Sequence, residues 1–127
     1  MPGAADTLYC TSVPTCPFCS ANSEDAWIMD ERAVALPKLE PIAPGHALVA
    51  ARRHVACFYD LDVVEQRAVW NMVAAVKQRI AEGLKVARFE VGFADFDSGD
   101  GHAHIHVIPR GVDEDFELPG GIEWVKE

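Results

Sequence analysis

Three histidines alternate with small apolar residues in one short segment of the chain. His102, His104 and His106 are separated by Ala103 and Ile105. Side chains alternate across a β-strand, so the three imidazoles would share one face, about 6–7 Å apart, with the apolar residues on the other. Because the chain holds only five histidines, this alternation predicts a functional site.

Two chemistries suit three imidazoles on one strand. A catalytic zinc ion takes three protein ligands and keeps one position open, and a His-x-His strand supplies two of them. Neutral imidazole, with a pKa near about 6.5, is also a nucleophile towards phosphorus, and neighbouring histidines can donate protons to phosphate or leaving-group oxygens. The spacing alone leaves both possibilities open.

Longer motifs around these histidines decide between the two. His102–Ile108 resembles the H-φ-H-φ-H-φ-φ signature of the histidine-triad (HIT) family, in which φ is apolar, and Val107–Arg110 resembles its fragile-histidine-triad and bacterial branches. Pro41–Val49 is similar to the family's P-x-x-P-G-H-x-L-V segment, and residues 16–19 and 120–125 resemble bacterial members. The matches run in the family's order over most of the chain.

The resemblance implies covalent nucleotide chemistry. His104 would attack the α-phosphorus and form a nucleotidyl-histidine, which water then cleaves, while His106 and His46 would contact the phosphate. The predicted activity is that of a hydrolase or nucleotidyl transferase acting on phosphoanhydrides or phosphoramidates, such as dinucleoside polyphosphates or AMP-amine conjugates. A non-catalytic nucleotide-binding protein is the alternative.

A C-x-x-C pair lies near the N-terminus. In a chain with no evident secretion signal, such a pair favours metal binding over a disulfide. Resemblance to zinc-containing relatives implies a structural Zn²⁺ site of two cysteines and two histidines, namely Cys16, Cys19, His54 and His102. A closed four-ligand site of this kind would tie the N-terminal arm to the catalytic strand. Cys10 and Cys57 are predicted to be free thiols.

The resemblance also implies an apolar slot for the base and a polar partner for the ribose. Phe18, Trp27 and Ile28 are the predicted slot residues. Lys38 stands where the family has Asp or Asn for the ribose, and this departure shifts ribose recognition to Glu40. Lys38 and Glu40 are both predicted to contact the nucleotide.

The loop before the histidines departs from the family pattern. Residues 97–101, with the sequence DSGDG, replace the usual G-Q-[ST] segment. Ser98 and the backbone amides around Gly99 are the predicted substitutes for its phosphate contacts, whereas Asp100 would repel a phosphate.

Hydrophobic periodicity and turn residues predict the elements that position these side chains. Asp62 and Glu65 form a plausible capping box for a helix that ends at Gly83. We predict an α+β, HIT-like fold with an antiparallel sheet of about five strands, one long helix and short helical segments. The predicted strands are 27–29, 32–36, 46–51, 88–93 and 103–108.

Composition limits the domain organisation and the partners. We expect an irregular N-terminal arm over residues 1–15 and a single HIT domain over residues 16–127. A net charge of −9 and a pI near 4.9 argue against a nucleic-acid partner, and no apolar run is long enough for a membrane span. We expect the protein to be cytoplasmic. The resemblance implies that it binds a small nucleotide and forms a homodimer.

Overall fold

One antiparallel sheet and one long helix make up the α+β fold that the sequence predicts. The computed structural model describes residues 16, 18–22, 24–94, 102–111, 118, 120 and 122–125. The strands are β1 (Ile28–Met29), β2 (Ala33–Pro37), β3 (Ala47–Ala51), β4 (Arg88–Ala94), β5 (His104–Arg110) and β6 (Glu123–Trp124). They lie in the order β1-β2-β3-β5-β4-β6, and every neighbouring pair is antiparallel.

Five of these six strands correspond to predicted strands, with ends that differ by at most two residues. The additional strand is β6, in which Trp124 pairs with Gly92 and Glu123 pairs with Phe93. A strand of two residues is too short for apolar alternation to reveal it.

The helix α1 spans Val63–Gly83, after a 3₁₀ turn at Phe58–Asp60. The predicted capping box is confirmed: Asp62 Oδ1 accepts from the Glu65 amide at 2.8 Å, and Glu65 Oε1 accepts from the Asp62 amide at 3.1 Å. These two bonds satisfy amides that the first helical turn leaves unpaired. The buried residues repeat at helical spacing and are Val69, Met72, Val73, Val76 and Ile80.

The sheet has one face for the helix and one for the histidines. Small and branched residues pack against α1, and they include Ala35, Val49, Ile105 and Val107. The opposite face carries a second apolar cluster of Cys16, Phe18, Val34, Leu36 and Ala50. Side chains alternate along β5, so His104 and His106 lie on this second face, away from α1.

A tight turn leads into β3. The amide of His46 donates to the Ala43 carbonyl at 3.1 Å, Pro44 follows Ala43, and Gly45 has φ 89°. This is the geometry of a type II turn, which favours proline and then glycine at its two central positions. The turn places His46 on the histidine face. Only 2% of this residue is exposed.

Some sequence predictions fall outside the described residues, including the irregular arm over residues 1–15 and the thiol of Cys10. Among the residues that the structure does describe, no helix is long and apolar enough to cross a membrane.

Candidate active site and metal centre

Three histidines come together on the face opposite α1. The ring centroids of His104 and His106 lie 5.0 Å apart, and those of His46 and His106 lie 5.2 Å apart. Two of these residues belong to β5, while His46 immediately precedes β3, the strand paired with β5. The turn and the strand register therefore gather the three predicted catalytic residues in one place.

A chain of hydrogen bonds fixes the protons of two of these rings. The Ile42 amide donates to His46 Nδ1 at 3.2 Å, so this nitrogen is unprotonated and the proton of neutral His46 lies on Nε2. His46 Nε2 lies 2.9 Å from His106 Nδ1 and donates to it. The proton of neutral His106 consequently lies on Nε2, which makes that nitrogen a donor for an anion.

The proton of His104 is fixed in the opposite sense. His104 Nδ1 lies 2.8 Å from the His102 carbonyl oxygen, and only a protonated nitrogen can donate there. Nε2 of the neutral ring then carries the lone pair. His104 is partly exposed, as a nucleophile must be to meet a substrate.

Burial keeps the two supporting imidazoles neutral. The pKa of His46 is lowered to about 4, first by burial and then by the positive charges of Lys38 and His104. The pKa of His106 is lowered to about 3 by burial, with smaller contributions from His104, His46 and Lys38. Near pH 7 both rings are neutral, which the proton positions above require.

A second cluster consists of Cys16, Cys19, His54 and His102, whose donor atoms all lie within 4.8 Å of one another. His102 Nδ1 is 3.3 Å from Cys16 Sγ and 3.7 Å from Cys19 Sγ. His54 Nδ1 is 3.2 Å from Cys19 Sγ. Ligands of a tetrahedral zinc ion at about 2.0–2.3 Å would be about 3.3–3.8 Å apart, and these three donor pairs have close to that spacing.

The position of the proton on the His102 ring also favours metal binding. His102 Nε2 donates to the Ala51 carbonyl at 2.7 Å, which leaves the lone pair on Nδ1, beside the sulfurs. The four side chains are positioned for the metal binding that the sequence favours, and the Cys19 sulfur is in a disulfide in this structure. Coordination by all four residues therefore requires reduction of Cys19.

A salt bridge holds the segment that carries His54. Arg53 donates twice to the Glu65 carboxylate, at 2.8 and 2.7 Å. This pairing raises the pKa of Arg53 and lowers that of Glu65. Two residues on, the Val55 carbonyl accepts from the Ala103 amide at 2.8 Å. The start of α1, the His54 segment and the start of the histidine strand are thus connected.

His102 links the two clusters. Its imidazole belongs to the cysteine-histidine cluster, and its carbonyl oxygen accepts from His104 Nδ1. Phe18 packs on both rings, with centroids 5.0 Å from His102 and 5.1 Å from His104. A ligand held by His102 would therefore steady the orientation of His104.

A cavity of about 460 Å³ opens next to the histidines, within the size range of small-molecule sites. Its walls are apolar with two opposite charges, and the lining residues are Ser20, Asp25, Leu36, Pro37, Lys38, Leu39 and Leu48. Leu48 lies directly opposite His106 in the sheet, so the cavity borders the histidine group.

The other predicted nucleotide-binding residues do not line this cavity. Trp27 and Ile28 pack against the core on the α1 side of the sheet, and Glu40 is exposed. Ser98 and Gly99 lie outside the described residues. Phe18 contacts the histidine rings, and Lys38 lines the cavity.

Sequence reasoning missed the backbone groups that set the proton positions. The Ile42 amide and the Ala51 carbonyl carry no residue-type signal, because every non-proline residue offers the same groups. Asp25 was missed for another reason: only the packing of the N-terminal segment on the sheet brings it to the cavity.

Comparison with known proteins places this geometry in a family. The family model described as HIT domain matches residues 20–112, which include β1 to β5 and α1. The chain therefore belongs to the HIT domain family. The sheet with histidines on one face and one main helix on the other is the HIT-like α+β fold.

The individual similarities are moderate. The chain is 27% identical over 92 residues to a bis(5'-adenosyl)-triphosphatase of Dictyostelium discoideum, covering 70% of this chain and 62% of that protein. It thus spans about three fifths of that relative. The C. elegans NitFhit protein superposes with a TM-score of 0.68 at 21% identity, over 79% of this chain and 25% of that one. A Zn-bound histidine triad family protein from Mycobacterium smegmatis superposes with a TM-score of 0.59 at 23% identity, over 91% and 83% of the two chains.

Proposed function

We propose that this protein cleaves nucleotides at the α-phosphorus through a covalent nucleotidyl-histidine on His104. The observation that carries the proposal is the set of proton positions, with a lone pair on His104 Nε2 and a proton on His106 Nε2. A nucleophile and a hydrogen-bond donor on adjacent same-face positions suit attack on a phosphate.

The proposed reaction has two displacement steps. In the first, His104 Nε2 forms a bond to phosphorus while the bond to the leaving oxygen or nitrogen breaks, and the leaving group takes the electron pair. The His102 carbonyl stabilises the resulting imidazolium through Nδ1–H. In the second step water attacks phosphorus, the P–N bond breaks, and a nucleoside monophosphate and one proton leave.

The supporting histidines act on the phosphate oxygens. His106 donates from Nε2 to a non-bridging oxygen, and His46 holds that donor through the 2.9 Å bond to His106 Nδ1. Such oriented donors stabilise charge at little reorganisation cost. Because both rings are neutral near pH 7, they serve as donors without a change of charge.

The nucleoside is proposed to occupy the cavity beside His106. Leu36 and Leu48 provide apolar walls for the base, Asp25 accepts from ribose hydroxyls, and Lys38 attracts the phosphates. Lys38 and Phe18 remain proposed nucleotide-binding residues, whereas Trp27, Ile28 and Glu40 are not included because they lie elsewhere. Since the curated relative is named a bis(5'-adenosyl)-triphosphatase, dinucleoside polyphosphates are the first substrates to test, followed by AMP-amine conjugates.

Chromatography of products from diadenosine triphosphate and an AMP-amine conjugate tests the activity. We expect AMP from the wild type and a loss of at least about 10³-fold in rate for His104→Asn. Nucleotide binding without turnover of any substrate would instead support the non-catalytic alternative, which the DSGDG loop at residues 97–101 favours. Normal turnover by His104→Asn would overturn the proposal.

We also propose that the cysteine-histidine cluster holds structural zinc when Cys19 is reduced. His102 and His54 would bind through Nδ1, and Cys16 and Cys19 through their sulfurs. In a structural role, zinc would stabilise the fold and the orientation of His104 without contacting the substrate. The zinc-bound structural neighbour supports this choice of metal.

Metal analysis of protein purified with a reductant tests the zinc proposal. The wild type should carry about one zinc ion per chain and lose several degrees of Tm on chelation. Cys16→Ser should bind little zinc, whereas Cys57→Ser, the matched variant of a free cysteine outside the cluster, should bind it normally. Equal zinc content in the two variants would contradict the assignment, and a chelator that abolished turnover without lowering Tm would favour a catalytic metal.

A homodimer is proposed as the assembly. Four apolar side chains are exposed on the 3₁₀ turn and the first half of α1, namely Tyr59, Val63, Val64 and Trp70. Large exposed apolar side chains grouped on one segment of a small protein are candidates for an interface with a second copy. The cytoplasmic location expected from the sequence remains a prediction.

A further inference from the structure

The additional strand β6 contributes an aromatic side chain to the histidine face. Across strands β3, β5, β4 and β6, Leu48 pairs with His106, His106 pairs with Gly92, and Gly92 pairs with Trp124. Directly paired residues of antiparallel strands point to the same face. His106 therefore lies in a row between the cavity wall at Leu48 and the indole of Trp124.

Gly92 lies between the two rings, and its lack of a side chain allows them to meet. A Cβ atom at this position would lie 2.5 Å from Trp124 Cε3 and 2.6 Å from Ile122 Cγ2. The indole and the Ile122 side chain thus occupy the space above β4 that the side chain of any other residue would fill. It approaches His106 with 6.1 Å between ring centroids and an interplanar angle of 51°, within the range of aromatic contacts.

On the side away from Trp124, the His106 ring is hydrogen-bonded through one atom, Nδ1. His46 Nε2 donates to His106 Nδ1, which fixes that nitrogen but leaves the ring able to tilt about the bond. The indole of Trp124 restricts this tilt from the opposite side. The direction of the Nε2–H donor is then defined by a hydrogen bond and an aromatic contact together.

Three backbone connections attach Trp124 to the sheet. Trp124 pairs with Gly92, Glu123 pairs with Phe93, and the Val125 amide donates to the Val91 carbonyl at 2.7 Å. This two-residue strand places one large side chain on the histidine face, while Glu123 and Val125 are exposed.

We propose that Trp124 is a positioning residue for His106 and that Gly92 is required because it makes room for the indole. The inference rests on the proposed function, in which His106 donates to the phosphate. Trp124 acts through the histidine ring, without a bond to the reacting atoms.

Steady-state kinetics of four variants on diadenosine triphosphate test the proposal. Trp124→Ala should lower kcat about tenfold or more and leave KM within about twofold, because misplacing a donor weakens transition-state stabilisation more than substrate binding. Trp124→Phe should restore most of kcat. Gly92→Ala should match Trp124→Ala, and the control Val125→Ala should match the wild type.

The double variant Gly92→Ala/Trp124→Ala gives the sharpest kinetic result. Both single variants and the double variant are made with Ile122→Ala, which removes the other side chain that a Cβ at Gly92 would meet. If the glycine serves the indole, the double variant should then be no slower than the worse of the two single variants, because both remove the same contact. Losses that multiply, or an effect of Trp124→Ala on KM alone, would overturn the proposal. Thermal unfolding of each variant identifies any that fail to fold.

A spectroscopic measurement separates this inference from the proposed function. The ¹⁵N shifts of His106 in the wild type should correspond to one tautomer, protonated at Nε2. In Trp124→Ala this tautomer should persist, because His46 still donates to His106 Nδ1, but the NMR order parameter of the His106 ring should fall, while Val125→Ala should leave it unchanged. An unchanged order parameter in Trp124→Ala would overturn the inference even in a protein that turns over no substrate.

Discussion

At the scale of residues, one backbone amide sets the proton positions of two imidazoles. The Ile42 amide makes His46 Nδ1 an acceptor, so His46 donates to His106 and leaves the His106 proton on Nε2. The His102 carbonyl independently places the His104 proton on Nδ1. Two identical side chains on one strand thereby obtain opposite roles, nucleophile and donor, from their backbone surroundings.

The buried histidines predict a loss of stability in acid. The folded protein keeps His106 neutral, with a pKa of about 3, whereas the unfolded chain binds a proton below about pH 6.5. Between these values the unfolded state holds more protons, so this contribution to stability is complete above about pH 6.5 and falls by at most about 1.4 kcal/mol per pH unit below it.

Denaturant titrations at several pH values measure this effect against a matched variant. His106→Asn removes the titrating group, so the difference in unfolding free energy between wild type and variant should become smaller from pH 7 to pH 5. A difference that is independent of pH would show that His106 is not held neutral by the fold.

At the scale of elements, the type II turn before β3 determines where His46 lies. Gly45 has φ 89°, and a Cβ there would lie 3.0 Å from both Leu84 Cδ1 and Pro109 Cγ. The turn therefore packs against the end of α1 and against β5 while it delivers His46.

Gly45→Ala should destabilise the protein by about 1–3 kcal/mol, because the backbone is strained and the new methyl group is crowded. It should also lower kcat by displacing His46. The matched control is Gly83→Ala, whose Cβ would meet nothing within 4 Å and which should be neutral or slightly stabilising. Chemical denaturation and kinetics of both variants check this, and equal effects would contradict the role given to the turn.

Features set by residues close together in the sequence could be predicted, whereas those set by contacts between distant segments could not. The capping box of Asp62 and Glu65 is a local pattern, and so is the alternation along β5, which places Ile105 and Val107 in the core and brings the rings of His104 and His106 together. Both are confirmed. Resemblance to the family predicts Trp27 in the nucleotide slot, whereas the structure packs it against the core on the α1 side. The contact of Trp124 with His106 depends on pairing through Gly92, which no local pattern encodes.

At the scale of the whole molecule, the protein has two distinct surfaces, one with the candidate sites and one with exposed apolar side chains. The histidine face carries the cavity and the cysteine-histidine cluster. Elsewhere, Val63 and Tyr59 are 68% and 71% exposed beside Trp70. Burying these side chains against a second copy would remove apolar area from water and stabilise the assembly.

Light scattering on a sizing column tests this assembly. The wild type should have twice the chain mass of 13.9 kDa, and Val63→Glu should have the mass of one chain, because a charge would be buried in the interface. Leu39→Glu is the control, since Leu39 is 93% exposed at the cavity mouth, and it should leave the dimer intact. A wild type with the mass of a single chain would contradict the proposal.

The central claim concerns a bond between His104 and phosphorus. Intact-mass spectrometry of the protein, quenched during turnover of diadenosine triphosphate and followed by peptide mapping, measures it most directly. We expect a mass increase of one adenylyl group on the peptide containing His104, acid-labile as a phosphoramidate is, and absent in His104→Asn. Turnover to AMP with no such adduct, or an adduct on another residue, would contradict it.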